Sequence, residues 1–288
     1  MKNNEPLVSV LMTAYNREKY IAQAIESVLA STYINFELII VDDCSTDHTL
    51  EIIKLFAAKD SRIKEYVNEK NLGDYPNRNK AAIYAKGKYL KYLDADDYIY
   101  EEGLELMVKY MERFPDVGIA ITRPPHKDYP YPKKLTPYEA YKKHYFEGSF
   151  LGAAPIAVII KTNAFYQCGG FTGKRMVGDL ELFLKIAAVY NTLLLPGVYF
   201  WYRLHDSQEI NTYDWFRGEY CKVDLNALEN NSLLNPSEIK YLQKKIKRNY
   251  ARVILFSFLI KRKNFTVVSK NLKSMNWTLP QLFKEALL

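Results

Sequence analysis

The chain has 288 residues, 48% of them hydrophobic, enough for one large domain or two unequal ones around a real core, which makes a globular protein the expectation. Its formal charge of +7 is scattered through the first 120 residues and becomes dense only after about residue 239, so it points to the tail; charge alone does not choose among nucleic acid, anionic lipid and phosphorylated small molecules. MKNNEPLVSV lacks the basic segment and apolar core of a secretory signal, and the nearly uncharged runs at 148–160 and 251–260 fall short of the roughly 20 residues of a membrane span, so a cytoplasmic protein without an anchor is expected.

In chain order, LVSVLMTA (7–14) reads as a buried strand, and Asn16 as the N-cap of a helix carrying Ile21, Ala24, Ile25, Val28 and Leu29. FELIIV (36–41) is a second strand, followed by a helix with Leu50, Ile53 and Ala57. Arg62 to Val67 is a third strand; Asn77 caps a helix closed by Gly87, and YLKYL (89–93) is the fourth strand. Such alternation implies a parallel sheet with helices on both faces, and ligands gather beyond the carboxyl ends of its strands. The site is therefore expected at Thr13 to Asn16, Asp42 to Thr46, Asn68 to Arg78 and Asp94 to Asp97. Residues 122–147, rich in proline, tyrosine and lysine, read as an ordered excursion beside the site. IAVIIK (156–161) resumes regular structure, a helix begins near Asp179, and from about 215 the chain is helical and basic. Cys44, Cys168 and Cys221 are far apart and lack metal-ligand spacing, as expected of reduced thiols in a cytosolic setting.

Two strand ends are acidic. Asp94, Asp96 and Asp97 repel one another unless a cation or several donors compensate, and Mg²⁺ or Mn²⁺ with carboxylate oxygens and substrate phosphates is the compensation their position favours. A solvated acidic turn is the alternative. In VDDCSTD (41–47) a carboxylate can accept from a base edge or ribose hydroxyl, while Ser45, Thr46 or Asp47 caps the next helix; capping alone does not require both Asp42 and Asp43.

TAYNREKYIAQAIESVL, FELIIVDDCSTDHT, NEKNLGDYPNRNKA and GKYLKYLDADD, in that order over 7–97, resemble the nucleotide-binding half of the family 2 glycosyltransferases, inverting enzymes with a GT-A fold. PIAVIIKTNAFYQCGGF and GDLELFLKIA resemble the acceptor half, so the resemblance spans about 7–205 and leaves the tail uncovered. It implies an α/β fold, Rossmann-like, with a mostly parallel sheet flanked by helices: residues 1–214 as the transferase domain (1–100 nucleotide-binding, 101–214 acceptor) and 215–288 as a basic helical extension. It implies metal-dependent transfer, with Mn²⁺ or Mg²⁺, from a nucleotide-sugar donor to a glycan or lipid-linked acceptor in cell-surface polysaccharide synthesis, UDP being the family's commonest donor nucleotide. By the same resemblance Thr13 and Tyr15 line base and ribose, Asp43 reads the base with Asp42 in support, Arg78 holds the nucleotide, and Asp94 and Asp96 lie on the donor. Asp96 and Asp97 are the choice for metal and ribose contacts, with His205 on the metal or diphosphate and Arg203 supporting the donor side.

Asp179 occupies the place of the catalytic base, although capping of its helix is the simpler reading of that residue, and Glu181 is a weaker candidate. Three features depart from the family pattern. Asp74, Tyr75 and Pro76 replace small residues before Arg78, Gly178 replaces a glutamate, and Ser207 follows His205 by two positions rather than three.

A nucleotidyltransferase is the competing enzyme reading, disfavoured because TAYNREKY has no glycine for a phosphate loop. A catalytically dead nucleotide- or glycan-binding module is disfavoured by the retained acids, and no nucleic-acid motif is present. The basic stretch 239–274 reads as a peripheral contact with an anionic inner membrane, as a helical appendage, or as a homodimer surface.

Overall fold

The computed structural model describes residues 5–123, 130, 132–206, 208–229, 231–259 and 264–287. A central sheet is built from β1 (Val8–Ala14), β2 (Phe36–Asp42), β3 (Ile63–Val67), β4 (Tyr89–Tyr92), β6 (Val117–Arg123), β7 (Lys133–Leu135), β8 (Val158–Lys161) and β9 (Asn191–Pro196), while β5 (Tyr98–Ile99) pairs apart from it. The order across the sheet is β3-β2-β1-β4-β8-β6-β9-β7. β1, β2, β3 and β4 are mutually parallel; β8 runs antiparallel between β4 and β6, and β7 antiparallel to β9. The mostly parallel arrangement expected from the sequence is present, with those two strands as its exceptions.

Helices cover both faces, which is why β1 and β2 are apolar without clean polar alternation. On β1, Val8, Val10 and Met12 face α1 (Ile21–Leu29) and α4 (Gly103–Arg113), in a core with Ile25, Leu38, Ile40 and Met107. Leu11 points to the opposite layer with Ile39, Phe165 and Phe183, where α3 (Asp74–Ile83), α5 (Pro137–Lys142), α6 (Thr162–Gln167) and α7 (Gly178–Val189) lie. The period-2 geometry of strands makes this division automatic.

Two helix starts differ from expectation because tertiary partners claim the capping side chains. The N-cap of α1 is Tyr20; Asn16 sits at φ 52° and its Oδ1 accepts from the Thr46 backbone N–H at 2.9 Å, tying the loop after β1 to the loop after β2. α3 starts earlier than predicted, capped by Gly73 at φ 86°, and Tyr84 rather than Gly87 closes it. Asn77 lies inside that helix, and its side-chain amide donates to Val41 O at 3.1 Å on the neighbouring strand. Of the tyrosine-rich excursion, residues 124–129 and 131 lie outside the described residues, and the described remainder lies away from the expected site. β7 forms the sheet edge farthest from β3, and α5 packs on α7, so none of its described residues lines the large cleft below.

The tail is helical, as expected: α8 (Arg217–Glu229), α9 (Pro236–Leu259), α10 (Phe265–Met275) and α11 (Leu279–Leu287). Cys221, Leu228, Leu242 and Ile246 share the main core with Tyr145 and Phe183, whereas Ala251, Ile254, Val268, Leu272 and Leu282 form a small cluster of their own. A polar seam joins α8 to its neighbours: Asp224 Oδ2 accepts from the Tyr250 hydroxyl at 3.0 Å, and Asp224 Oδ1 faces His144 Nε2 at 3.7 Å. Removing the donor leaves a buried carboxylate short of partners, so Tyr250→Phe is expected to lower stability by about 1–3 kcal/mol. In urea denaturation this appears as a lower midpoint with an unchanged slope.

Candidate active site

A cleft of about 850 Å³ opens at the carboxyl ends of β1, β2 and β4. Thr13, Tyr15, Asn16, Arg17, Asp43, residues 71–78, Asp94, Asp96, Arg175, Tyr202 and Gln208 border it. Thr13, Tyr15, Asp43, Arg78, Asp94 and Asp96 are thus brought together as the sequence suggested. Asp42 does not line the cleft: its Oδ2 accepts from the Ser45 N–H at 2.9 Å and its Oδ1 from the Ser45 hydroxyl at 2.5 Å, so both oxygens are spent shaping the turn. Asp43, one residue on, is buried and accepts from Asn68 Nδ2 (2.7 Å), Leu72 N (2.8 Å) and Gly73 N (2.9 Å). A carboxylate has about four acceptor positions, so one remains on Oδ2.

Arg78 occupies the floor, its side chain 7% exposed. Nε donates to Asp74 Oδ1 and Nη2 meets Asp94 Oδ1, each at 2.7 Å. Burial opposes its charge, but Asp74 and Asp94 together raise its pKa well above the ordinary value. Nη1 is buried with no hydrogen-bond partner. A charged donor without a partner, on a residue that borders the cleft, suits an anionic ligand.

Beside it, carboxylate oxygens of Asp94, Asp96 and Asp97 all lie within 4.8 Å of one another. Asp97 is 1% exposed, with Oδ1 accepting from the Arg203 N–H at 3.0 Å and Oδ2 unpartnered. Burial, reinforced by the Asp94 charge, pushes its carboxyl up to about 8, against the pull of the Arg203 N–H. Below the cluster Lys91 is fully buried, and burial lowers its amine to about 7 despite Asp94 and Asp97. Three carboxyl groups, one of them with an unpartnered oxygen, offer the hard oxygen donors that a divalent cation such as Mg²⁺ or Mn²⁺ prefers.

The short β5 ribbon pairs antiparallel with β10 (Phe200–Trp201), which delivers the next residues to the acids. Arg203 Nε donates to Asp96 O at 2.7 Å, and His205 Nε2 lies 3.0 Å from Asp96 Oδ2 while its ring stacks on Tyr20. Ser207 lies outside the described residues. Arg17 was not among the expected site residues, yet its Nε pairs with Asp96 Oδ2 at 2.9 Å. Nothing in its spacing signals this; the left-handed turn at Asn16 aims it inward.

The family profile described as Glycosyl transferase family 2 matches residues 9–172, more than half of the chain. The chain belongs to glycosyltransferase family 2. Among curated relatives, an uncharacterized glycosyltransferase of Methanocaldococcus jannaschii is 45% identical over 118 residues, 40% of this chain and 41% of that protein. TuaG of Bacillus subtilis, whose name assigns it provisionally to teichuronic acid biosynthesis, is 41% identical over 111 residues, 38% of this chain and 44% of that protein. The matched segment thus spans less than half the length of these relatives. The fold extends further: the S. aureus TarS 1–349 complex with UDP-GlcNAc superposes with a TM-score of 0.73 at 18% identity, covering 97% of this chain and 81% of that one. The mannosyltransferase PcManGT of Pyrobaculum calidifontis, in complex with GDP-Man and Mn²⁺, gives 0.67 at 16% identity over 99% and 80%. Both are GT-A likenesses of fold.

In this family 2 chain Asp179 is the second residue of α7, behind Tyr75, which lines the cleft. Oδ1 accepts from the Leu180 N–H at 2.7 Å, and the helix is capped by Val177 rather than by Asp179. Burial pushes its carboxyl up to about 6, against the Leu180 N–H, the Tyr75 hydroxyl and Arg78. Glu181 points elsewhere, to Lys174 at 2.9 Å and the Thr172 hydroxyl.

The Asp97 shift has a stability consequence with a definite sign. Between its ordinary 3.8 and about 8 the folded chain holds a proton that the unfolded chain has shed, so stability falls as pH rises through that window. Asp97→Asn keeps an acceptor for the Arg203 N–H and removes the repulsion. At pH 8 it should raise the melting temperature of the metal-free chain by about 2–4 °C and cancel any further rise on adding Mn²⁺.

Proposed function

We propose that this chain is a metal-dependent, inverting glycosyltransferase that moves a sugar from a nucleotide-sugar donor to a hydroxyl of a glycan or lipid-linked acceptor. The convergence of Asp43, Arg78, Asp94 and Asp96 on one cleft carries the reading. The remaining acceptor position of Asp43 takes a base N–H, with Thr13 and Tyr15 beside base and ribose. Arg78 Nη1 donates to a phosphate oxygen, and Arg203 and His205 secure the acids from the far side. Asp94, Asp96 and Asp97 would hold Mn²⁺ or Mg²⁺, whose Lewis acidity offsets charge on the leaving diphosphate.

Asp179 serves as the base. With its pKa near 6 it is largely ionised at pH 7 and takes the proton of the acceptor hydroxyl. That oxygen forms the new bond to the anomeric carbon as the bond to the diphosphate breaks and its electron pair leaves with the nucleotide, a single displacement with inversion. UDP-sugars are the first donors to test, in keeping with the UDP-GlcNAc bound by TarS, and a cell-surface polysaccharide is the acceptor class that TuaG's name supports.

Residues 215–288 act, on this proposal, as an extension that sets the enzyme against an anionic membrane on its cytoplasmic face. Fourteen lysines and arginines face five acids after residue 214, and Tyr241, Phe256, Leu259, Phe265 and Phe283 are exposed. Because α8 and α9 share the main core, charge reversal tests this better than truncation. Lys240→Glu with Lys244→Glu should abolish salt-sensitive binding to phosphatidylglycerol vesicles; unchanged binding rejects the membrane role.

A panel of UDP- and GDP-sugars with Mn²⁺ or Mg²⁺, read by nucleoside diphosphate release, identifies the donor. Asp179→Asn is expected to cut transfer at least 100-fold while donor binding, measured by calorimetry, stays within about twofold. Near-normal turnover rejects Asp179 as base.

A further inference from the structure

Tyr75 and Gly178 both depart from the family pattern, and the structure joins the two departures at one contact. Tyr75 follows Asp74 at the start of α3, 5% exposed, with its ring 5.0 Å from that of Phe171. Its edge lies so close to the start of α7 that a Cβ added at Gly178 would stand 2.9 Å from Tyr75 Cδ2 and Cε2. The buried ring leaves no room for a side chain at 178. The Tyr75 phenol also lies beside Asp179: the Asp179 charge raises it, and the phenol in turn draws the Asp179 carboxyl down.

We propose that Tyr75 is the positioning residue of the Asp179 base: its ring fills the space that a side chain at position 178 would need, and its hydroxyl orients the carboxylate toward the cleft. The proposal rests on Asp179 being the base. Burial, with the charges of Asp179 and Asp74, raises the phenol well above its ordinary pKa, so it remains a donor at all working pH values. The other groups facing Asp179 are Arg78 and Asp74 from α3 and Tyr213 from the 3₁₀ segment Glu209–Phe216. On this proposal the phenol joins the Leu180 N–H, which donates to Asp179 Oδ1 at 2.7 Å, as the second donor to the carboxylate. Tyr75 also sits beside Asp74, the partner of Arg78, so the base is held by the helix that carries the cation of the donor floor. A nucleotide that draws on Arg78 bears on the same turn that positions the base.

Tyr75→Phe keeps the ring and removes only the donor. The Asp179 carboxyl titration, followed by ¹³C NMR in the full chain and assigned with the Asp179→Asn spectrum, should move upward by roughly half to one pH unit, the worth of one hydrogen bond to a charged group. With UDP-N-acetylglucosamine, UDP-glucose or GDP-mannose, whichever is turned over, kcat at pH 7 should fall about tenfold at unchanged donor KM, and part of the loss should return as pH rises. A role in packing alone would leave the titration midpoint in place. Gly178→Glu should be inactive while Tyr75 is present, and Tyr75→Ala/Gly178→Glu should recover turnover that Tyr75→Ala loses, because the added carboxylate enters the vacated space. An unmoved midpoint in Tyr75→Phe, or full activity of Gly178→Glu, overturns the role of Tyr75. Turnover retained in Asp179→Asn overturns the base assignment and, with it, this proposal.

Discussion

Arg78 brings a guanidinium to a place water scarcely reaches, where Asp74 and Asp94 take two of its donors. The acids at the strand ends would repel one another strongly if left to themselves, and a buried cation is the commonest way a fold makes such crowding tolerable. Arg78 does so for Asp94 and Arg17 for Asp96, whose Oδ2 also meets the His205 ring, and Asp97 is left with a backbone N–H and an unpartnered oxygen. On the proposed function, this residual imbalance is what a nucleotide diphosphate and its metal would meet. Two polar atoms are left without a partner there: Arg78 Nη1 and Asp97 Oδ2.

Much of this was legible in the sequence because strand ends are local features. An apolar run followed at once by acids marks a strand and the residues at its carboxyl end, so Asp43, Asp94 and Asp96 were expected beside one another, whereas Arg78, inside α3, was singled out by the family resemblance. Helix starts were less legible. Asn16 and Asn77 have good capping chemistry, but the side chain of each reaches another loop or strand, contacts that exist only after folding. Asp42 looked like a ligand residue for the same reason that makes it a turn former: a short carboxylate beside Ser45 bonds its own backbone. Arg17 and the position of the tyrosine-rich excursion depend on which strands become neighbours, and no periodicity reports that β7 would join β9 at the far edge.

The tail presents the opposite case. Its charge pattern allowed a membrane contact, a helical appendage packed on the catalytic domain or a dimer surface, and Cys221, Leu242 and Ile246, buried with the residues of α7 and the segment around Tyr145, make it a packed appendage. A helix can be amphipathic toward two environments at once, sealing a core with one stripe while keeping basic residues outward. Here the sealing stripe spans α8 and the first half of α9, and the second half turns to α10 and α11.

The contact between Tyr75 and Gly178 constrains how such a chain can change over generations. A larger residue at 178 is excluded while the ring is in place, and a smaller one at 75 opens a void beside the base before anything can fill it. Neither single step is neutral, so the two positions are locked to one another as a pair. Lineages that differ at one should differ at the other, and a glycine before the aspartate should be accompanied by an aromatic ring near the start of α3.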